Sequence, residues 1–420
     1  MFDIYIFFRV AVAVGCWASI GNAVAGSGSR HTVEISGSAM DLPADIIGAR
    51  TPNLHRSVDG AVYLSWQQPD GDDGEVLRFA RWQDGAWSAP QTIARGKNWF
   101  VNWADFPGVA AFGSARLAAY WLQRSGPGQY DYDVHLTLSN DGGQSWHPAA
   151  APHDTGAAGE HGFVSLLSLA GEGWLAILLD GSAYGNDDTA GSSTMLRYAL
   201  VEPAGSISER GVIDRSTCDC CQTSLVITPH GPLAAWRARR DGEIRDIHFS
   251  HYQDGRWGEP RAVAGEGWST PACPVNGPML AAADDRVVLA WYTGADTSPR
   301  IRYAWSADGG LHFGPAFTIA AQKDETVPLG RVAVALIDHD RAAVTWLETA
   351  GPRANIMLQT IGPEGPISPP SIAAELSPGR DSGFPRLVKL DKTSLLLAWT
   401  ARDNPSGIKL KRIMLDERAP

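Results

Sequence analysis

The sequence is short of positive charge and of long apolar runs, and both shortages exclude functions. Its 420 residues include 35 Lys+Arg against 46 Asp+Glu, a formal net charge of -11 at pH 7. Sequence-independent nucleic-acid binding needs a basic face, so no DNA or RNA partner is expected. A membrane helix needs about 20 consecutive apolar residues, and we expect no span in the mature chain.

Motifs of several common enzyme classes are also missing. The chain has no GxxxxGK[ST], GxGxxG or HExxH, and no GxSxG in a strand–turn–helix setting. Nucleotide, nicotinamide, zinc-peptidase and α/β-hydrolase functions therefore lack support. Glycine (45), proline (27) and tryptophan (16) are abundant instead. This composition is typical of an all-β protein with many turns and half-buried aromatic side chains.

The N-terminal segment has the pattern of a secretory signal. Residues 10–21 form an apolar run, and Ala23-Val24-Ala25 matches the small-residue cleavage pattern. The expected organisation is a signal peptide at 1–25 followed by one domain at 26–420, exported to the periplasm or secreted.

Two features of this segment leave alternatives open. Asp3 and Arg9 cancel in charge, so an uncleaved anchor or a misassigned start is a second interpretation. Cys16 follows Ala-Val-Gly, which is compatible with processing as a lipoprotein.

A short apolar strand ending in tryptophan recurs along the whole chain. The copies are spaced 53 to 59 residues apart, and in one of them Asp180 takes the place of the aromatic residue. A regular period of about this length is typical of β-propeller blades. The copies end at Trp66, Trp121, Asp180, Trp236, Trp291, Trp346 and Trp399.

A second marker follows the same period. Residues 139–146 have the sequence SNDGGQSW and residues 306–313 have SADGGLHF. Degenerate copies of this motif begin at Asp84 and Asp254. On this motif the chain resembles the Asp-box (BNR-repeat) sialidase-like superfamily. The resemblance implies a β-propeller in which these turns are structural and lie away from the active site.

The repeat count predicts an all-β propeller of seven blades, whereas the sialidases it resembles have six, which stays an alternative. The last copy supplies only three strands before the chain ends. The alternating segment His31–Ser36 is expected to provide the missing strand and close the ring.

Propeller geometry predicts where a site forms. Loops that lead into the innermost strands and loops that follow the tryptophan strands emerge on one face, so their polar residues converge. The candidates to bind ligand at this mouth are Arg50, Asn102, His161, Asp180, Arg237, Arg239, Asn276, Arg331 and Arg386. Arginines and carboxylates together suit an anionic, hydroxyl-rich ligand such as an acidic sugar.

The sialidase resemblance implies three arginines that hold the substrate carboxylate. Arg50 lies in an x-Arg-x-Pro motif like that of the family, and the other two candidates are Arg237 or Arg239, and Arg331. The resemblance also implies a tyrosine nucleophile late in the propeller, but no tyrosine follows Tyr303. A hydrolase here is instead expected to use two carboxylates.

The carboxylates predicted to act as the acid/base pair are Asp105 and Glu160. The competing hypothesis is a propeller without catalytic activity that binds a ligand, a partner protein or a metal ion. The late tyrosine's absence favours this second hypothesis, and the mixture of arginines and acids favours the first.

Four cysteines form the most unusual local feature of the sequence. Cys218, Cys220 and Cys221 lie within four residues, and Cys273 occupies the equivalent place one repeat later. In an exported protein this even number predicts disulfides. Adjacent Cys220 and Cys221 cannot easily bond to one another, whereas Cys218 could pair with Cys221, or either of these with Cys273, and a bond that ties blades four and five together is expected. No resident cofactor is predicted, but Cu(I) or Zn(II) held by the thiolates is the alternative.

Overall fold

Each tryptophan of the repeat lies in the second strand of an antiparallel sheet, and the computed structural model contains seven such sheets arranged as a propeller. The structure describes residues 36–44, 46–156, 159–170, 173–182, 193–376, 379–380 and 383–415. The seven-bladed prediction is therefore confirmed, and the six-bladed alternative is wrong. The predicted signal peptide at 1–25 lies outside the described residues.

The first four blades have their strands in chain order from the centre of the ring outwards. Blade one contains β2 (Arg50–Arg56), β3 (Val62–Asp70), β4 (Gly74–Gln83), β5 (Ala86–Trp87) and β6 (Gln91–Lys97). Blade two contains β7 (Gly108–Phe112), β8 (Arg116–Arg124), β9 (Tyr132–Ser139) and β10 (His147–Pro148). Blade three contains β11 (His161–Ser168), β12 (Trp174–Asp180), β13 (Thr194–Val201) and β14 (Ile207–Thr217). Blade four contains β15 (Ser224–Thr228), β16 (Gly231–Arg237), β17 (Ile247–Gln253), β18 (Arg256–Trp257) and β19 (Arg261–Ala262).

The last three blades follow the same plan. Blade five contains β20 (Met279–Ala283), β21 (Arg286–Thr293), β22 (Arg300–Ser306) and β23 (Phe317–Ala321). Blade six contains β24 (Thr326–Leu336), β25 (Ala342–Ala350), β26 (Arg353–Gly362), β27 (Gly365–Pro366) and β28 (Ser371–Leu376). Blade seven contains β29 (Arg386–Lys389), β30 (Ser394–Ala401), β31 (Gly407–Met414) and β1 (Gly37–Met40).

The ring closes through β1, which pairs antiparallel with β31. Closure by an N-terminal strand is as predicted, but the strand lies later in the chain than expected. Of the predicted segment His31–Ser36, only Ser36 is described, and its carbonyl accepts a hydrogen bond from the amide of Met414. The pairing covers the edge that the three strands of blade seven would otherwise expose.

The core lies between blades rather than in one central mass. Seven buried clusters occur, one at each contact between neighbouring sheets. Trp66, Trp236, Trp291 and Trp346 are at most 1% exposed, because the second strand is covered on both faces by adjacent blades. Apolar side chains on both faces of these strands explain why the repeat is readable in the sequence.

The turns at Asp141 and Asp308 are built to hold the outer strands. One carboxylate oxygen of Asp141 accepts hydrogen bonds from the amide of Ser145 and the hydroxyl of Ser139. Gly143 has φ +87°, and a Cβ there would lie 2.4 Å from Phe79 of the preceding blade. These turns follow the third strands of blades two and five, and their acids bond within the turn.

A short 3₁₀ turn, Ala295–Thr297, precedes the third strand of blade five. None of the described residues belongs to a helix with the length and apolar character that crossing a membrane requires.

Candidate functional site

One face of the ring, here called the upper face, carries the predicted loops. In blade three, His161 at the start of the first strand pairs with Asp180 at the end of the second. In blade two, Arg124 at the end of the second strand pairs with Tyr132 at the start of the third. Three classes of segment therefore meet on this face: those before the first strand, after the second and before the third.

Several first strands contain a residue in the left-handed region in their upper half. Thr51, Phe163 and Arg331 have φ of 53°, 52° and 54°, and each lies in a bulge between the first and second strands. Val275, with φ 49°, precedes the first strand of blade five. These non-glycine residues store backbone strain where the blades approach the axis, a position common for functional sites.

Two carboxyl groups and a phenol meet between blades two and three. The hydroxyl of Tyr132 lies 2.7 Å from Glu160 Oε1 and 3.2 Å from Asp105 Oδ2. Tyr132 is fully buried, and its ring stacks on Phe100 with centroids 3.9 Å apart. The structure thus brings the predicted pair Asp105 and Glu160 together through a tyrosine that was not predicted.

Burial shifts the titration of all three groups. It raises the pKa of Asp105 to about 8, more than the Phe163 amide lowers it. It raises the pKa of Glu160 to about 7, with the Tyr132 hydrogen bond lowering it and the charge of Asp219 raising it. Burial and the two acids hold the pKa of Tyr132 well above its usual value. Glu160, which is half-buried, can therefore gain or lose a proton near neutral pH.

Asp105 also links two blades. Its carboxylate accepts the amide of Phe163 at 2.9 Å, and the side chain is only 2% exposed. An equivalent link joins blades four and five, where Gln222 Oε1 accepts a hydrogen bond from the amide of Gly277 at 3.1 Å. Asp105 consequently has a structural contact as well as its contact with Tyr132.

Asn276 forms the same kind of link, and Asn102 acts locally. Asn276 Oδ1 accepts the amide of Arg331 at 2.7 Å, and its amide nitrogen donates to the carbonyl of Leu329. Asn102 Oδ1 accepts the amide of Ala104 at 2.7 Å, which fixes the loop before β7. Both side chains are engaged with backbone groups.

A half-exposed network of charges lies at the start of β17 and beside the cysteines. Arg245 donates to Glu243 at 2.9 Å and lies 3.6 Å from Asp219. Arg239 donates to both oxygens of Glu243, at 2.7 to 3.1 Å. Arg239 and Glu243 have side chains 28% and 33% exposed, so this predicted arginine is reachable from solvent.

Arg237 is placed differently from the ligand-binding arginine that the sequence suggests. Its guanidinium donates to the carbonyls of Arg245, Tyr292 and Asn276 at 2.6, 2.7 and 2.8 Å. The residue is 1% exposed and its guanidinium lies over the ring of Trp268. In this structure it joins blades four and five, and its donors are turned away from solvent.

Two further predicted arginines lie near the axis. Arg331 donates to the carbonyl of Gly383 at 3.0 Å and lies over the rings of Trp103 and Phe384. Arg386 lies over Phe106, and its Nε has no hydrogen-bond partner in the described part of the chain. Burial lowers the pKa of Arg386 to about 10.

A cavity of about 570 Å³ runs below these residues and is lined by the first strands of all seven blades. Asp105, Gln222 and Arg386 line its upper end. Contacts between Gln222 and Ala104 and between Phe106 and Phe384 join the loops there. Arg386 thus belongs to the central cavity, beneath the loops of the upper face.

Arg50, His161 and Asp180 lie apart from this centre. Arg50 forms a close ion pair with Glu75 inside blade one. His161 is buried with Nε2 3.5 Å from Asp180, which also pairs with Arg197 at 2.6 Å. The predicted x-Arg-x-Pro arginine therefore has an acidic partner of its own.

The ring of His161 stacks on His153 with centroids 4.1 Å apart, and Asp133 lies close to both. Burial lowers the pKa of His161, but the charges of Asp180 and Asp133 outweigh it and raise the pKa. Burial and His161 lower the pKa of His153. His153 Nε2 accepts a hydrogen bond from the amide of Val134. We therefore interpret Asp133, His153 and His161 as a packed structural network.

The four cysteines form one cluster between blades four and five. Cys220 and Cys273 lie within disulfide-bonding distance, with Cα atoms 6.3 Å apart, while the Sγ atoms of Cys218 and Cys221 lie 2.8 Å apart as thiols. Burial raises the pKa of Cys218, but its contact with Cys221 and the nearby guanidinium groups outweigh it and lower the pKa to about 7. The pKa of Cys221 is raised well above its usual value by burial and by Cys218.

Tyr132 and Arg245 are absent from the predicted site residues. The prediction covers only two of the three classes of segment that meet on the upper face. Both residues lie just before or at the start of a third strand. The strands YDVHLTLS and IHFSHYQ were recognisable as third strands from the repeat. The segments that lead into them were therefore a usable signal.

No protein-family model matches the chain, and no curated protein sequence matches it. Its solved structural neighbours are propellers. A polysaccharide lyase described as PL25 ulvan lyase, bound to -[GlcA(1-4)Rha3S]-, is 11% identical over 89% of this chain and 95% of its own, with a TM-score of 0.54. A protein of unknown function from Dyadobacter fermentans is 14% identical over 92% of this chain and 100% of its own, with a TM-score of 0.50.

A NanB sialidase from Streptococcus pneumoniae is 11% identical over 90% of this chain and 70% of its own, with a TM-score of 0.42. The likenesses to the lyase and to the Dyadobacter fermentans protein show a shared fold. At such identities the activity has to be argued from the site itself.

Proposed function

We propose that this protein acts on glycans at its upper face, with Glu160 as the residue that transfers the proton. The observation that carries the proposal is the half-buried Glu160 carboxyl, held by Tyr132 at 2.7 Å and with a pKa of about 7. General acid catalysis is most efficient when the pKa lies near the working pH. Glu160 would donate a proton to the leaving oxygen of a glycosidic bond.

Asp105 and Tyr132 have a supporting role in this proposal. Both are at most 2% exposed, so a sugar cannot reach them without movement of the loops. The raised pKa of Tyr132 keeps its phenol neutral, which disfavours its use as a nucleophile. Asp105, predicted as half of the acid/base pair, would instead fix Tyr132 and through it Glu160.

We propose an anionic glycan as the substrate class. Arg239, whose side chain is 28% exposed, lies in the network that also contains Arg245 and Asp219, and guanidinium groups bind carboxylates and sulfates bidentately. The structurally similar ulvan lyase is described as bound to a glucuronate-containing, sulfated saccharide. This supports acidic sugars as a class, with sialosides and uronides as the compounds to test.

Two further expectations accompany the proposal. The bonding within the turns at Asp141 and Asp308 supports a relationship to the Asp-box sialidase-like superfamily. The Cys220–Cys273 disulfide supports export to an oxidising compartment, the periplasm or the exterior.

The test is an activity assay on purified protein with fluorogenic sialosides and uronides and with acidic polysaccharides, followed by chromatography of the products. We expect turnover of at least one substrate and a loss of about 100-fold or more in Glu160→Gln. The matched control is Glu259→Gln, because Glu259 is exposed outside this network. Absence of turnover, or full activity in Glu160→Gln, would contradict the proposal.

A further inference from the structure

The cysteine cluster has a geometry that its division into one disulfide and two thiols does not explain. The four Sγ atoms of Cys218, Cys220, Cys221 and Cys273 all lie within 4.8 Å of one another. Cys218 and Cys221 are 1% and 2% exposed, whereas Cys220 and Cys273 are more accessible to solvent. A disulfide between two blades needs only two of these residues, so the convergence of all four calls for another reason.

The charges around the cluster point to an anion at this place. Arg237 is buried against three carbonyl oxygens and has no carboxylate partner in the part of the chain that the structure describes. Arg245 Nη1 lies 3.3 Å from Cys218 Sγ. A buried guanidinium without a counter-charge is costly. Neutral thiols or a second disulfide would leave Arg237 uncompensated, whereas thiolates would balance it.

The donor set restricts the kind of ion that would bring thiolates together. Sulfur ligands select soft ions such as Cu(I) and Zn(II), whereas Ca²⁺ and Mg²⁺ require oxygen. In a tetrahedral zinc site with Zn–S bonds of about 2.3 Å, the sulfur atoms lie about 3.8 Å apart. The 4.8 Å limit of this cluster is compatible with such a site after small side-chain rotations.

We propose that Cys218, Cys220, Cys221 and Cys273 together bind one thiophilic d¹⁰ metal ion, Cu(I) or Zn(II), at the junction of blades four and five. Arg237 offsets part of the negative charge of the four thiolates, and Arg245 contributes less because it also pairs with Glu243 and Asp219. The ligand set does not include Glu160, although Asp219 and Arg245 border both the cysteines and the proposed glycan site. The metal site does not depend on the function proposed above.

The disulfide defines when the site is available. Reduction of Cys220–Cys273 by an external dithiol takes up two electrons and two protons and gives two thiols, while the reductant becomes a disulfide. Binding of the metal then displaces the protons of the four thiols to solvent. Reoxidation of Cys220 and Cys273 removes two ligands, so the oxidised protein is expected to bind the ion weakly.

The experiment uses the full chain, reduced with a dithiol, freed of reductant under nitrogen and titrated in two arms. One arm adds Co(II), a spectroscopic substitute for Zn(II), and follows thiolate-to-cobalt charge-transfer absorption before displacement by Zn(II). The other adds Cu(I) in competition with a chromogenic chelator. We expect about one equivalent of ion in at least one arm, and the tighter arm identifies the metal.

Single substitutions assign the ligands. Cys218→Ser and Cys273→Ser are expected to weaken binding at least tenfold. Cys16→Ser, at the only other cysteine in the sequence, is the matched control and should bind as the parent does. Far-ultraviolet circular dichroism of each variant separates a lost ligand from a lost fold. Cys273→Ser is the more informative variant because Cys273 is more accessible to solvent than Cys218 and tolerates a hydroxyl more readily.

Three results would overturn the proposal. A metal site would be excluded if the reduced, folded protein has its thiols free but binds less than a tenth of an equivalent of ion in both arms. Unchanged affinity in folded Cys218→Ser and Cys273→Ser would place the ion elsewhere. Equal affinity in the oxidised and reduced proteins would exclude the ligand set that includes Cys220 and Cys273.

Discussion

The hydroxyl of Tyr132 lies 2.7 Å from Glu160 Oε1, and the same hydroxyl lies 3.2 Å from Asp105 Oδ2. A phenol has one proton, so it can donate to only one of these carboxylates at a time. The second contact is a hydrogen bond only when that carboxyl is protonated. The pKa of about 8 for Asp105 fits a protonated Asp105 that donates to the phenol while the phenol donates to Glu160.

This arrangement predicts the effect of Tyr132→Phe on Glu160. The hydrogen bond from Tyr132 lowers the pKa of Glu160, so its removal should raise that pKa above about 7. Carbon-13 NMR titration of the glutamate side-chain carboxyls measures the change. Tyr130→Phe is the matched control, because Tyr130 is exposed and has no contact with Glu160 in the described residues. A fall in the pKa, or no change, would contradict the assignment.

Asp105→Asn is predicted to change how stability depends on pH. Aspartate in an unfolded chain titrates near 4, whereas burial raises the pKa of Asp105 to about 8 in the folded protein. The folded state therefore binds more protons between these values. The contribution of Asp105 to stability is fully present below about pH 4 and is lost as the pH rises through about 8.

The asparagine variant lacks this titration but keeps an acceptor for the Phe163 amide. Between pH 5 and pH 9 the free energy of unfolding should fall less in the variant than in the parent, by on the order of 1–4 kcal/mol. Urea unfolding at several pH values provides the measurement, with Asp241→Asn at an exposed position as the control. Parallel pH profiles of parent and variant would show that Asp105 is ionised throughout.

Much of the fold could be predicted because every blade buries its second strand in the same way. The second strand is covered on both faces, so a tryptophan such as Trp291 or Trp346 recurs at one place in six of the seven repeats. The closing strand was harder to locate. Its four residues, Gly37–Met40, are largely exposed and carry no apolar pattern, so their pairing with β31 rests on backbone hydrogen bonds that the sequence does not encode.

The site could be predicted only as a set of loops. Position along the repeat identified the face on which Asp105, Glu160 and Arg237 lie. It could not show whether a guanidinium faces solvent or three carbonyl oxygens, because the carbonyls around Arg237 come from three separate segments. The place of Tyr132 in the site could not be predicted for a similar reason, because Asp105 and Glu160 lie 27 and 28 residues away from it in the sequence.

Arg237→Ala is predicted to destabilise the protein strongly. The change leaves the carbonyls of Arg245, Asn276 and Tyr292 buried without a donor, at a cost of about 3–5 kcal/mol in the free energy of unfolding. Arg239→Ala is the control in the neighbouring loop. Its ion pair with Glu243 is partly exposed, so a loss of about 1 kcal/mol or less is expected.

Urea unfolding of both variants measures the difference. Arg237→Lys should lie between them, because an ammonium group can reach some of the same carbonyls but lacks the planar arrangement of donors. If Arg237→Ala were as stable as Arg239→Ala, the three hydrogen bonds would not stabilise the junction of blades four and five.

Removal of the closing strand is predicted to weaken the ring and expose an edge. A chain that begins at Leu42 lacks β1, so the free side of β31 loses its partner and each lost backbone bond costs about 1 kcal/mol. A chain that begins at Ser36 keeps the strand and is the matched control. The shorter chain should unfold at lower urea concentration and associate as protein concentration rises, because an unpaired strand edge recruits other chains. Size-exclusion chromatography over a concentration series detects the association, and identical elution and unfolding of the two chains would show that β1 does not hold the ring closed.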